Sequence, residues 1–564
     1  MKEQMPVSLL YPDGKAHEYR VLGETALHDL GLDVVCEKAA QNEKEKGVLL
    51  RTLARMNDDP KAAAYRAAVF DELYTHPGLR EKLMELLGKI DFLRDYGSFK
   101  ERFDEHAGVW DMMHRLEEIG DYIGYVEALE GCLRDAEPRS EGLKKLKDYV
   151  GKMYRSQGFG ELKKDIAACR ATTGTLKSVT LGVNLNERFE ACAIGLVSIN
   201  SKPFSRSGLL GNFSDWMSRA PAPEAEWKDD YRFQPFSGAE GLAGDMEKMA
   251  TARFRLSPMG TMASVPREDA AENVTYQMNR MGNHILGMVV KKLREVLHRY
   301  VNLTITDITD LIPELLFYIR FAEYFGGLEG QGHIFCAPQV SEKDRVMEAK
   351  GIWNLKLSGM KADEVVRNDL VFDAEHRVHI LTGANRGGKT TITQAVGQLF
   401  VLAQGGLRVP GERFVFSPVD CVYTHFPADE DQTLDLGRLG EECSRFRDLY
   451  GACTKNSLLL LNETFSTTSF EEGYYIARDA VKALLAAGIR TVYNTHMHKL
   501  AYELPEINAG NGDGKAASLI VKTEAGKRSF KVVSAPPEGS SLARDIAEKY
   551  GVTYEMLTER KQRD

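Results

Sequence analysis

One stretch constrains this chain more than any other: Leu381-Thr382-Gly383-Ala384-Asn385-Arg386-Gly387-Gly388-Lys389-Thr390-Thr391. An apolar run, Val378 to Leu381, leads into it, and a helix-like run, Ile392 to Ala403, follows. The spacing G-x-x-x-x-G-K-T is the Walker A pattern, a phosphate-cradling loop between a strand and a helix. Its glycines let successive backbone N–H groups turn toward phosphate oxygens at the positive end of the helix. The pattern assigns Gly383, Ala384, Asn385, Arg386, Gly387, Gly388, Lys389, Thr390 and Thr391 to a nucleotide cradle. Lys389 is the point charge on the β- and γ-phosphates, and the Thr390 hydroxyl is a ligand for Mg2+. A glycine-rich strand-to-helix turn that binds nothing has the same local look, so a second half at the right distance decides.

That second half is Ser457-Leu458-Leu459-Leu460-Leu461-Asn462-Glu463, a buried-strand run ending in a polar pair. A Walker B strand presents its metal-side residue and its water-activating carboxylate this way, here Asn462 and Glu463. Thr491 to His496 gives another strand ending in a histidine. Together they predict an ATP-hydrolysing α/β core.

With 564 residues the chain exceeds what one hydrophobic core supports, so several domains are expected. No run of 18 apolar residues occurs and the first residues lack a signal-peptide pattern, which predicts a cytoplasmic protein with no membrane partner. Eight scattered cysteines without a C-x-x-C pair fit reduced thiols. A net charge of −9 means that any contact with nucleic acid is confined to a local basic face.

Along the chain, Val7 to Tyr11 and Tyr19 to Leu22 suggest a hairpin, Thr25 to Cys36 a helix, and Lys61 to Tyr74 another. The last contains Phe70-Asp71-Glu72, an F-x-E spelling that recurs at Phe103. In an amphipathic helix it reads as core rather than as a base-stacking wedge. Leu79 to Arg170 is helix after helix, and 176 to 200 alternates as a two-stranded β-ribbon. Residues 201 to 265 show no period, Asn273 to Val301 carries a coiled-coil-like seam, and Leu311 to Phe325 gives a further helix. The expected domains are 1–78, an N-terminal α/β segment; 79–335, a mainly α-helical lever or clamp; 336–535, the ATPase domain; and 536–564, a helical dimerisation element.

The Walker A run, Gly405 to Pro410, Asp420 to Phe426 with Asp429 and Asp431, Leu458 to Glu463, and Thr495-His496 together resemble the C-terminal ATPase domain of the MutS family. The T-G-x-N-x-G-G-K-T form is more specific than a generic P-loop, and the strong match covers about residues 375 to 505. The resemblance implies a multidomain protein with a C-terminal P-loop domain of ABC type. It implies a homodimer, each ATP with Mg2+ lying between one subunit's loop and the other's signature segment. It further implies roles for Lys389 and Glu463 in catalysis, His496 as γ-phosphate sensor, Thr390, Asn462 and Glu463 on the metal, and Val366 (with Val365) beside the adenine.

Three departures matter. Asn462 stands where the family has Asp, which predicts weaker Mg2+ binding and slow turnover. Leu436 to Glu442 replaces a Ser-Thr-Phe signature. Neither an N-terminal mismatch-reading domain nor a Smr nuclease is recognisable, so DNA is expected to be recognised as duplex or branched shape rather than as a mispaired base. The competing expectation is an ATP-dependent scaffold whose partners are proteins.

Overall fold

A computed structural model describes residues 7–14, 19–96, 109–173, 178–185, 187, 191–200, 296, 311–341, 343, 345–383, 387–427, 437–509, 514–524, 527–536 and 550–563. The aperiodic segment 201–265 lies outside them, as do Phe103, Asp429, Asp431, Leu436 and all of the expected 273–301 helix except Val296. The chain forms two compact units, one of residues 1–88, 129–151 and 307–564, the other of 89–128 and 152–306.

In the first unit, six strands form the sheet that carries the motifs. They are β1 (His376–Thr382), β2 (Val422–His425), β3 (Leu458–Asn462), β4 (Arg490–Asn494), β5 (Lys515–Glu524) and β6 (Lys527–Ser534). Their order is β2-β3-β4-β1-β5-β6, with β6 alone antiparallel to its neighbour. Parallel strands covered on both faces need unbroken apolar runs, and every residue of β3 and β4 is buried. Register pairs Asn462 with Asn494 and Asn494 with Leu381, so three strand ends lie level. The loops that follow open at the carboxyl edge, where α/β sheets place their ligand crevice.

The helices of this unit used below are α1 (Pro60–Thr75), α2 (Ile312–Gly330), α3 (Lys389–Gln404), α4 (Gly437–Ala452) and α5 (Phe470–Ala487). Helix α3, which follows the Walker loop, is buried along nearly its whole length because the N-terminal segment covers it. Its glutamines satisfy backbone carbonyls there: Gln394 Nε2 donates to Asp29 O at 2.7 Å, Gln398 Nε2 to Leu30 O at 2.7 Å and Gln404 Nε2 to Asn57 O at 2.9 Å. Gly397 leaves the room that Leu30 fills, since a Cβ there would stand 2.4 Å from Leu30 Cδ2.

Helix α1 starts at Pro60 behind an Asp59 cap and buries Phe70 against Tyr318 and Phe325 of α2. Phe70 is therefore core, as its helical setting predicts. Arg320 of α2 forms a buried bidentate pair with Glu45 at 2.7 and 2.8 Å. A smaller sheet, in the order Pro338–Val340, Arg413–Phe416, Met347–Ile352 and Asn368–Phe372, completes this unit's strand framework with the short pairs 20–21/55–56 and 335–336/409–410.

Two local expectations are corrected. Arg20–Val21 pairs with Arg55–Met56 rather than with 7–11. The backbone of 7–11 is occupied differently: Leu9 N donates to Glu314 Oε2 at 2.6 Å, and the Ser8 hydroxyl to Glu314 Oε1 at 2.9 Å. The 25–36 helix is two helices, Glu24–Asp29 and Leu32–Ala39, broken where Gly31 takes φ +67°.

The helical stretch comprises Pro77–Tyr96, Val109–Ala136, Glu141–Arg155 and Gln157–Thr173. In the second unit Ser178–Leu185 and Ala191–Asn200 pair antiparallel, giving the ribbon expected at 176–200. Among the described residues no helix is long and apolar enough to cross a membrane.

Candidate nucleotide site

Strand β1 delivers the chain to Gly383 at φ +140°, and Gly388 at φ +90° turns it into α3. Side chains rarely adopt either conformation. Both positions are also tight: a Cβ on Gly383 would meet Val521 Cβ at 3.0 Å, and one on Gly388 would meet Phe530 Cδ1 at 3.2 Å. Gly387 is buried, and Thr391 O accepts the Asn354 side-chain amide at 2.7 Å. Ala384, Asn385 and Arg386 lie outside the described residues.

Lys389, the first residue of α3, is buried. Its ammonium donates to Gly383 O at 3.0 Å, lies 3.3 Å from His496 Nδ1 and 4.0 Å from Glu463 Oε1. Burial lowers its pKa from the ordinary lysine value, and the Glu463 charge opposes that shift. Glu463 Oε1 also pairs with His496 Nε2 at 2.8 Å. Lysine from the start of α3, and carboxylate and imidazole from just beyond the ends of β3 and β4, thus converge on one point.

Glu463 takes φ +55°, a left-handed conformation uncommon for a side-chain-bearing residue. Its N–H donates to Asn494 O at 2.8 Å, and Thr495 N donates to Leu381 O at 3.0 Å, so the turn is held by continuation of the ladder. Beneath it, Tyr493 OH donates to Thr464 O at 2.6 Å. His425 at the end of β2 places Nδ1 3.0 Å from Thr464 Oγ1 and Nε2 3.2 Å from Glu442 O of α4. The Glu442 carbonyl can only accept, so Nε2 carries the proton, and the Thr464 hydroxyl donates to His425 O at 3.2 Å. Burial, with a smaller contribution from the Arg445 charge, pushes the His425 pKa down to about 4. Gly473 of α5 lets that helix abut the same turn, since a Cβ would lie 2.3 Å from Phe465 O.

On the other side of Lys389, the Thr390 hydroxyl donates to Asn462 Oδ1 at 2.9 Å, and Asn494 Nδ2 donates to the same oxygen. Hydroxyl and amide carbonyl are oxygen donors of the kind that Mg2+ takes alongside waters and phosphates, and Glu463, next along the chain, is the nearest carboxylate in sequence. These two oxygens fit that ion, with a neutral amide where an Asp-Glu pair would bring a carboxylate.

The structure therefore brings Lys389, Thr390, Asn462, Glu463 and His496 together. Val366 is half-buried, two residues before Asn368, whose side chain donates to Phe530 O at 3.2 Å and accepts from Val532 N at 2.8 Å. Sequence reasoning missed Asn494 and Phe530. Asn494 faces Asn462 across the strand ladder, which only the register reveals. Phe530, exposed and at φ +56°, stands beside Gly388 on a hairpin with no sequence signal except an aromatic between Ser529 and Lys531. The signature-like stretch from Gly437 onward begins α4, and its Glu442 accepts from the Thr467 hydroxyl at 3.0 Å.

Residues 379–534 match MutS domain V, a span that contains the site residues from the Walker loop to Phe530. Over that stretch the chain is similar to MutS-family proteins. An endonuclease MutS2 from Thermus thermophilus is 28% identical over 194 residues, 34% of this chain and 25% of that one. A DNA mismatch repair protein MutS from Chlorobium phaeobacteroides is 31% identical over 169 residues, 30% of this chain and 19% of that one. A MutS2 endonuclease from Listeria monocytogenes is 28% identical over 205 residues, 36% of this chain and 25% of that one. The match to these MutS relatives thus spans a quarter of their length or less.

Proposed function

We propose that this MutS-family chain binds and hydrolyses ATP, and that its nucleotide state gates a dimeric clamp on duplex or branched DNA in repair or recombination. The observation that carries the proposal is the convergence of Lys389, Glu463 and His496 within 4.0 Å at level strand ends behind a glycine loop. Lys389 holds the β- and γ-phosphates. Glu463 takes a hydrogen bond from the attacking water and polarises it. His496 holds that carboxylate and sits where a γ-phosphate would break or keep the pair. Thr390 and Asn462 hold Mg2+, which when bound neutralises phosphate charge. Phe530 and Val366 flank the base, and the helices with the 178–200 ribbon transmit closure to DNA.

Steady-state hydrolysis tests this. Glu463→Gln is expected to lower turnover by at least ~100-fold while a fluorescent ATP analogue still binds. Unchanged turnover in that variant would remove Glu463 from the chemistry. One observation favours a slowly hydrolysing scaffold as the second reading: the metal-side residue is neutral and already accepts two hydrogen bonds.

A further inference from the structure

An aspartate at position 462 would offer an oxygen to Thr390 and the metal whichever way its side chain turned. An asparagine offers an oxygen on one side and a donor on the other, so exchanging one for the other creates an orientation problem. A half-turn of the Asn462 amide would set Nδ2 where a cation is to be held.

The neighbouring strand supplies what resolves it. Asn494 is paired with Asn462 in the β3/β4 ladder, so its Cα is placed by the sheet and not by a loop. Its Nδ2 donates to Asn462 Oδ1 and lies 3.4 Å from Thr390 Oγ1. Both asparagines are buried, and Asn494 Oδ1 has no partner among the described residues. A buried amide with one half unsatisfied is unfavourable unless the other half does something. Here the NH2 half faces the metal-side oxygen.

We propose that Asn494 is a positioning residue that locks the Asn462 amide with its oxygen toward Thr390, so that the pair replaces a Walker B carboxylate with a neutral, oriented ligand. The proposal rests on the nucleotide-binding reading above and names what organises the metal side of that site. It makes Asn494 necessary only because residue 462 is an amide.

That condition gives the test. Mn2+ binding to the ADP-loaded protein is measured by electron paramagnetic resonance for the natural chain, Asn494→Ala, Asn462→Asp and the double variant. ADP affinity in EDTA is measured in parallel with a fluorescent analogue. Asn494→Ala is expected to lower Mn2+ affinity about 10-fold, in the range seen when a ligand's supporting hydrogen bond is removed, with metal-free ADP affinity held within about 2-fold. In the Asn462→Asp background the same change is expected to cost less than about 3-fold, because a carboxylate presents an oxygen either way.

Equal losses in both backgrounds would assign Asn494 to packing and overturn the proposal, as would unchanged Mn2+ affinity in Asn494→Ala. Should the alanine variant unfold, Asn494→Leu, similar in shape and without a donor, allows the same comparison. A natural chain that binds neither ADP nor Mn2+ with ADP overturns the nucleotide-binding reading itself, an outcome distinct from binding that is indifferent to Asn494.

Discussion

His425 closes the Walker B turn from beneath, and its burial makes that turn pH-sensitive. Its folded pKa, about 4, lies below the unfolded value near 6.5, so the unfolded chain takes up a proton that the folded one refuses. Stability is accordingly full above pH 6.5 and falls as pH drops toward 4, by about 3 kcal/mol when complete. Denaturant melts of the natural chain and of His425→Gln between pH 7 and pH 4.5 check this; the variant is expected to lose part of the slope. Lys389 runs the other way in consequence. Because burial lowers its pKa, nucleotide affinity is expected to decline at alkaline pH earlier than an ordinary lysine would dictate, as a binding titration from pH 7 to pH 10 would show. Lys389, Thr390 and Glu463 were legible because phosphate chemistry dictates their spacing. Asn494 was not, because its importance comes from lying opposite Asn462, and an isolated polar residue at a strand end carries no pattern.

At the scale of elements, the apolar runs of β1, β3 and β4 announced themselves, since strands covered on both faces have no alternation to lose. The N-terminal hairpin failed for the opposite reason. Residues 7–11 look strand-like, but Glu314, three hundred residues away, takes the Leu9 N–H. Glycines mark where elements crowd the site. Gly473→Ala would drive a Cβ to 2.3 Å from Phe465 O, a backbone atom that cannot swing aside. Loss of about 1–3 kcal/mol in a denaturant melt is expected, with reduced hydrolysis because the Glu463 turn must shift. No measurable loss would mean that α5 and the turn separate more readily than their packing implies.

For the whole molecule, the notable feature of the first unit is that its N-terminal segment is part of the site's foundation. Gln394 and Gln398, on the helix that begins at Lys389, bond to Asp29 and Leu30, while Arg320 and Glu45 lock α2 to the same segment. Glu45→Ala, which leaves the buried Arg320 guanidinium with Glu323 as its remaining carboxylate partner, is expected to destabilise the protein by about 1–3 kcal/mol. A fall in thermal midpoint without loss of the Walker chemistry at low temperature would separate foundation from function. This covering was hidden in the sequence because glutamines along a helix read as solvent-facing until a backbone carbonyl is seen opposite them.

If nucleotide state controls DNA binding, as proposed, equilibrium binding reads it out. Labelled four-way junction, single-mismatch duplex and homoduplex are titrated with the natural chain and with Lys389→Ala, in ADP and in a non-hydrolysable ATP analogue, at two salt concentrations. Salt-sensitive binding that shifts at least about 5-fold between the two nucleotides is expected, with no such shift in Lys389→Ala. DNA affinity identical in both nucleotides, or no DNA bound by a protein that binds ATP, would contradict it and turn attention to protein partners of an ATP-switched scaffold.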